Sequence, residues 1–177
     1  MPLDIGIGIV LSLGVAEIFH VPASALFILF GIGSALLPDI DIVTMLFGSW
    51  KHRTHTHYPI VYIPLAVLVF IFLGPAYGVL FMLGVYAHLI HDTFGIGWGI
   101  AWLWPFSQRK FLLFPDGARR KTLGTVASWL PEEEPSLKAT GSNSNWVRDF
   151  YFRPNLLAYI EYGTLFVALV GLFLYKQ

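Results

Sequence analysis

Five apolar stretches dominate the chain, at about residues 4–19, 22–37, 58–73, 76–94 and 155–175. A hydrocarbon core about 30 Å thick takes a helix of roughly 20 apolar residues, and the backbone polar groups inside it must be satisfied within the segment. The chain is 56% hydrophobic and 12% charged, against roughly 25% charged in an ordinary soluble domain. Charge this sparse cannot cover a water-facing surface. The expected fold class is therefore all-α, a polytopic membrane protein with about five transmembrane or membrane-embedded helices. Several stretches are shorter than 20 residues and are expected to thin the bilayer or to be covered by neighbouring helices.

Punctuation supports these boundaries. Pro22 opens the second stretch and Pro38 closes it, while Gly74 and Pro75 separate the third from the fourth. The apolar start lacks the basic segment of a signal peptide and reads as a retained helix. The stretch GIGWGIAWLWPF holds Trp98, Trp102 and Trp104 and reads as interfacial, since Trp favours the headgroup level. Residues 107–154 are polar and are expected to form a cytoplasmic or interfacial segment of a single domain spanning 1–177.

Five crossings place the N-terminus and the loops 38–57 and 95–154 on one side. Ten of the eleven Lys and Arg residues fall in those loops, Lys51, Arg53, Arg109 and Arg153 among them; only Lys176 falls opposite. The positive-inside rule makes the basic side cytoplasmic. Equal numbers of acidic and basic residues give no global attraction to nucleic acid. Cysteine is absent, which excludes disulfides and thiolate metal sites.

The same topology gathers acids and histidines. Asp39 and Asp41 of LLPDIDI follow the second stretch, and His52, His55 and His57 of HRTHTHY precede the third. His88 and Asp92 of HLIHD end the fourth, four residues apart and so on one helix face. Asp4 begins the first stretch, and Glu161 lies about two turns inside the last. Glu17 and His20 fall at the far end of the first helix, roughly 20 Å away at 1.5 Å per residue, and are excluded. His91 shares its angle poorly with Asp92 and ranks below His88.

Carboxylate oxygens and imidazole nitrogens suit Zn2+, with Mn2+ or Fe2+ as alternatives. The surplus of candidates allows one ion or two. The expected ligands are Asp39, Asp41, His57, His88 and Asp92, with Asp4 and Glu161 as reserves. Each element also has an ordinary structural explanation: a helix stop at Asp39 and Asp41, a basic headgroup-binding loop at 52–57, a helix-joining pair at His88 and Asp92, a cap at Asp4, and a partnered buried acid at Glu161. Convergence on one level favours the metal reading over the separate explanations.

LLPDIDI, HRTHTHY, HLIHDTFG and WLWPF resemble, in order, the signatures of inner-membrane, metal-dependent hydrolases of the YdjM type. The likeness covers about residues 35–114. It implies an acidic pair at Asp39 and Asp41, an HR element at His52 and Arg53, a TH element at Thr56 and His57, and a His and Asp at His88 and Asp92. Ile42 stands where a histidine often follows the acidic pair, Tyr58 where a serine is common, and Asp4 near the place of an N-terminal histidine. The family is distantly similar to zinc-dependent phospholipase C enzymes. The resemblance implies hydrolysis of a lipid-like phosphoester by metal-activated water, with His52 as ligand or general acid and Arg53 holding phosphate. Membrane lipid is the expected partner, in the inner membrane, with no nucleic acid. The alternative is a non-enzymatic metal-binding, transport-associated or scaffold protein.

Overall fold

The computed structural model describes residues 2–41, 55–95, 98–115, 123–141 and 146–175. Its apolar stretches are helical: α1 (Pro2–Phe19), α2 (Ala25–Leu36), α3 (Tyr62–Leu73), α4 (Pro75–Asp92) and, at the C-terminal end, α7 (Leu156–Tyr175). The polar segment contributes β1 (Lys110–Leu113), β2 (Val126–Trp129), α5 (Glu134–Gly141) and α6 (Trp146–Tyr151). Local chemistry sets the boundaries. The Ser24 side chain accepts from the Phe27 amide and caps α2, three residues after the expected start at Pro22. Pro38 turns the end of α2 into a 3-10 turn over Leu37–Asp39. Gly74, at φ 93°, lets the chain reverse before Pro75 enters α4.

α1 is the hub. It packs against α7, α2 and α4, while α3 packs on α4 and α2 on α4. Small residues make the approach possible. A Cβ on Gly8 would lie 2.6 Å from the Ile32 Cα, and one on Gly6 would lie 2.9 Å from the Leu165 nitrogen. Ser12 and Ser34, buried at these crossings, donate back to the carbonyls of Gly8 and Phe30.

The polarity of this bundle is inverted. Asp4 is 1% and Glu161 3% exposed, whereas Phe72 is 77% exposed. The outer faces of α3 and α7 carry Val67, Phe70, Ile71, Phe166, Val167 and Phe173, all exposed. That distribution suits a lipid solvent and would be a large sticky patch in water. α1 and α7 are each long and apolar enough to cross a membrane; the segments Ala25–Asp39 and Pro59–Leu73 are apolar but shorter. The helical expectation therefore holds, and of the five expected crossings two meet the length and composition of a full span.

The polar segment 107–154 contains a hairpin that the sequence reading did not specify. β1 and β2 pair antiparallel, with Lys110 opposite Trp129. Leu112, Ala127 and Trp129 face a small core. The hairpin is tied to the end of α4: Leu113 donates its amide to the Thr93 carbonyl, and Gly95 donates to the Leu113 carbonyl. Trp102 adds an indole hydrogen bond to Thr93 Oγ1 at 2.9 Å. Trp104 stacks on Tyr58 at 4.5 Å, and Trp98 meets Trp129 edge-on. The tryptophans expected as interfacial anchors thus also make packing contacts with the fold.

Candidate metal centre

Three chain segments meet at the C-terminal end of α4. The 3-10 turn after α2 brings Asp39, the 3-10 turn His55–His57 brings His57, and the last turns of α4 bring His88 and Asp92 on one face. Asp39 Oδ1, His57 Nε2, His88 Nε2 and Asp92 Oδ2 turn toward one another and are sealed from solvent. His57 Nε2 lies 3.3 Å from Asp92 Oδ2 and 3.6 Å from Asp39 Oδ1. His88 Nε2 lies 3.6 Å from Asp39 Oδ1 and 3.8 Å from Asp92 Oδ2. One ligand atom from each of the four residues falls within 4.8 Å of all the others.

These separations can be compared with a known coordination shell. Ligand atoms about 2.0–2.1 Å from one ion at tetrahedral corners stand about 3.3–3.4 Å apart. Four of the six edges run from 3.3 to 3.8 Å and all lie within 4.8 Å, so an inward movement of the side chains would enclose one divalent ion. Two oxygen and two nitrogen donors are a set that zinc accepts. The surroundings require positive charge as well. Asp4, Asp41, Asp92 and Glu161 are buried and Asp39 nearly so, and several carboxylates brought together out of water are costly unless cations offset them. The cluster could hold a metal ion.

Both central histidines have a carboxylate at their outer nitrogen. His57 Nδ1 lies 3.6 Å from Asp41 Oδ2 and 3.1 Å from Thr56 Oγ1, and Thr56 donates to Asp41 at 2.9 Å. His88 Nδ1 lies 3.1 Å from Asp4 Oδ1. A carboxylate at the far nitrogen of a ligating histidine fixes the ring and raises its basicity. Asp41 and Asp4, both expected among the candidate ligands, therefore stand behind the histidines and outside the converging set of four. The Tyr62 hydroxyl donates to the Thr56 carbonyl and holds this strand of the site in place.

Glu161 is also outside the four. Its Oε1 lies 3.5 Å from His91 Nε2, and its Oε2 accepts from the Leu3 amide at 3.0 Å. Arg153 pairs with Asp149 at 3.4 Å. His91, ranked low in sequence, bridges Asp4 and Glu161. His55 packs edge-on against Tyr58. His20 and Glu17 are exposed at the opposite end of α1. His52 and Arg53 lie outside the described residues.

Tyr151 of α6 was not singled out by sequence. Burial, and then the negative charges of Glu161 and Asp4, push its phenol above the ordinary range. It therefore lies within electrostatic reach of the centre, although no spacing rule marks a lone tyrosine in a polar segment.

No curated protein and no solved structure matches the chain. A family model described as YdjM inner membrane protein matches residues 4–174, nearly the whole length and every residue of the cluster. The chain belongs to the YdjM inner membrane protein family.

Proposed function

We propose that the protein is a multi-pass, single-domain inner-membrane hydrolase that uses a divalent ion, zinc first, to cleave a phosphoester of a lipid or amphiphilic substrate. The observation that carries this reading is the set of four convergent atoms on Asp39, His57, His88 and Asp92. A bound divalent ion supplies Lewis acidity and lowers the pKa of water to about 7. The chain's own part is to hold that ion: the two histidines through Nε2, the two aspartates through one oxygen each. Asp41 and Asp4 orient His57 and His88 from behind. Asp39 is the most exposed of the four, its side chain 12% accessible. Its edge of the cluster is where substrate and water enter. His52 acts as general acid, and Arg53 holds a phosphate oxygen. The metal side faces the cytoplasm, in line with the basic residues flanking the apolar stretches.

A second reading draws on the same geometry. Four protein donors around one ion are typical of closed, structural sites, whereas catalytic sites keep a position open. On that reading the protein is a metal-stabilised membrane scaffold or transport component. Purified protein in lipid-containing micelles, with and without zinc, separates the two. The hydrolase reading expects zinc-stimulated release of phosphate or a phosphorylated headgroup from a phospholipid panel, lost in His88→Ala and Asp92→Ala. Turnover by both metal-free variants at the wild-type rate overturns it; metal uptake with no hydrolysis across the panel selects the scaffold reading.

A further inference from the structure

His91 stands one helical turn beyond His88 but faces a different neighbourhood. Its Nδ1 lies 3.4 Å from Asp4 Oδ1, the oxygen that also serves His88 Nδ1 at 3.1 Å. Its Nε2 lies 3.5 Å from Glu161 Oε1. Glu161 is anchored in turn by the Leu3 amide. The result is a continuous line of polar groups: the centre, His88, Asp4, His91, Glu161 and the first turn of α1. It joins α4, α1 and α7 below the metal cluster, through helices otherwise held by apolar and small-residue contacts.

His91 turns both of its nitrogens to Asp4 and Glu161, neither of which belongs to the converging set of four. It is therefore poorly placed to be a ligand. Without His91, Asp4 loses one of the partners that fix its rotamer.

We infer that His91 is a positioning residue for the metal centre: by bridging Asp4 and Glu161 it aims the Asp4 carboxylate at His88 and couples α7 to metal affinity. The inference rests on the metal reading of the cluster. It assigns Glu161, whose Oε1 meets His91 Nε2 at 3.5 Å, a role in metal binding that acts through His91 and Asp4. Partners behind a ligating histidine typically change metal affinity by about 10–100-fold, which sets the expected scale.

Cobalt titration of detergent-purified protein, followed by its visible ligand-field bands and by competition with a chromophoric chelator, tests this without an activity assay. His91→Gln offers one amide donor to one acid and turns a carbonyl toward the other; cobalt affinity should fall about tenfold or more. Adding Glu161→Gln supplies an amide that can donate to that carbonyl, so the double variant should bind cobalt more tightly than His91→Gln alone. A purely structural role predicts no such recovery. Glu161→Gln by itself should weaken binding several-fold and serves as the second probe if His91→Gln does not yield monodisperse protein. Wild-type affinity in His91→Gln, strictly additive losses in the double variant, or wild-type affinity in Glu161→Gln overturns the inference alone. A wild-type chain that takes up no cobalt or zinc overturns the metal reading and the inference with it.

Discussion

His88 presents one ring nitrogen to the metal cluster and the other, 3.1 Å away, to Asp4 Oδ1. The two residues are far apart in sequence and come from α4 and α1. The contact separates two carboxylate roles that look identical in a sequence. Asp92 faces the centre; Asp4 faces the back of a histidine. Asp4→Asn should therefore keep metal stoichiometry and lower affinity, by about 10–100-fold. His88→Ala should remove stoichiometric binding altogether. Elemental mass spectrometry after equilibrium dialysis against buffered zinc measures both. Loss of all metal in Asp4→Asn would move Asp4 into the ligand set.

The four-atom cluster makes a prediction about stability. Any ligand that binds only the folded chain stabilises it, by about 2.7 kcal/mol at a concentration one hundred times its dissociation constant. Zinc should raise the thermal midpoint of the purified protein, and a strong chelator should reverse the shift. In Asp92→Ala or His57→Ala neither addition should move the midpoint. A zinc-dependent rise of wild-type size in both variants would place the ion elsewhere.

The convergence of Asp39, His57, His88 and Asp92 was legible in sequence because reading the apolar runs as helices restricts so much. Once apolar runs are read as helices, their ends fall at two levels, and Asp39, His57, His88 and Asp92 must share one of them. The spacing of four between His88 and Asp92 fixes a common face. What sequence could not carry was orientation across helices. Asp41 and Asp92 are both acids at helix ends, and only the packing of the loop at Thr56 against Asp41 tells them apart. His91 looked misplaced because its angle was judged against its own helix, whereas its partners sit on α1 and α7. The hairpin was hidden for a related reason. KFLL and VASW are short, lack strict alternation of polar and apolar residues, and are strands only because each completes the other against the end of α4.

Two glycines of α1 predict opposite outcomes for one substitution. A Cβ on Gly8 would press on the Ile32 backbone at 2.6 Å, while one on Gly14 would meet nothing within 4 Å. Alanine favours a helix over glycine by about 1 kcal/mol, but overpacking typically costs about 1–3 kcal/mol. Gly14→Ala should be neutral or stabilising; Gly8→Ala should lower stability by up to about 2 kcal/mol and loosen the seam between α1 and α2. Chemical denaturation in mixed micelles reads the difference. Equal stability of the two variants would mean that the α1–α2 contact is not close in solution.

The orientation of the chain can be tested directly because it contains no cysteine. Single cysteines can be introduced at two exposed or half-exposed polar positions that the topology places on opposite sides. His20 ends α1 away from the cluster, and Arg109 precedes β1, whose hairpin is bound to the metal-bearing end of α4. In intact cells a membrane-impermeant maleimide should label His20→Cys and spare Arg109→Cys; in inverted vesicles the pattern should reverse. This follows from two relationships: the length of α1, 18 residues or about 27 Å at 1.5 Å per residue, and the basic residues gathered beside the cluster. Labelling of both positions from one side would remove the crossing by α1 and, with it, the argument that brings Asp4 to the cytoplasmic level. Labelling on opposite sides but in the reverse sense would keep the site and turn it toward the periplasm.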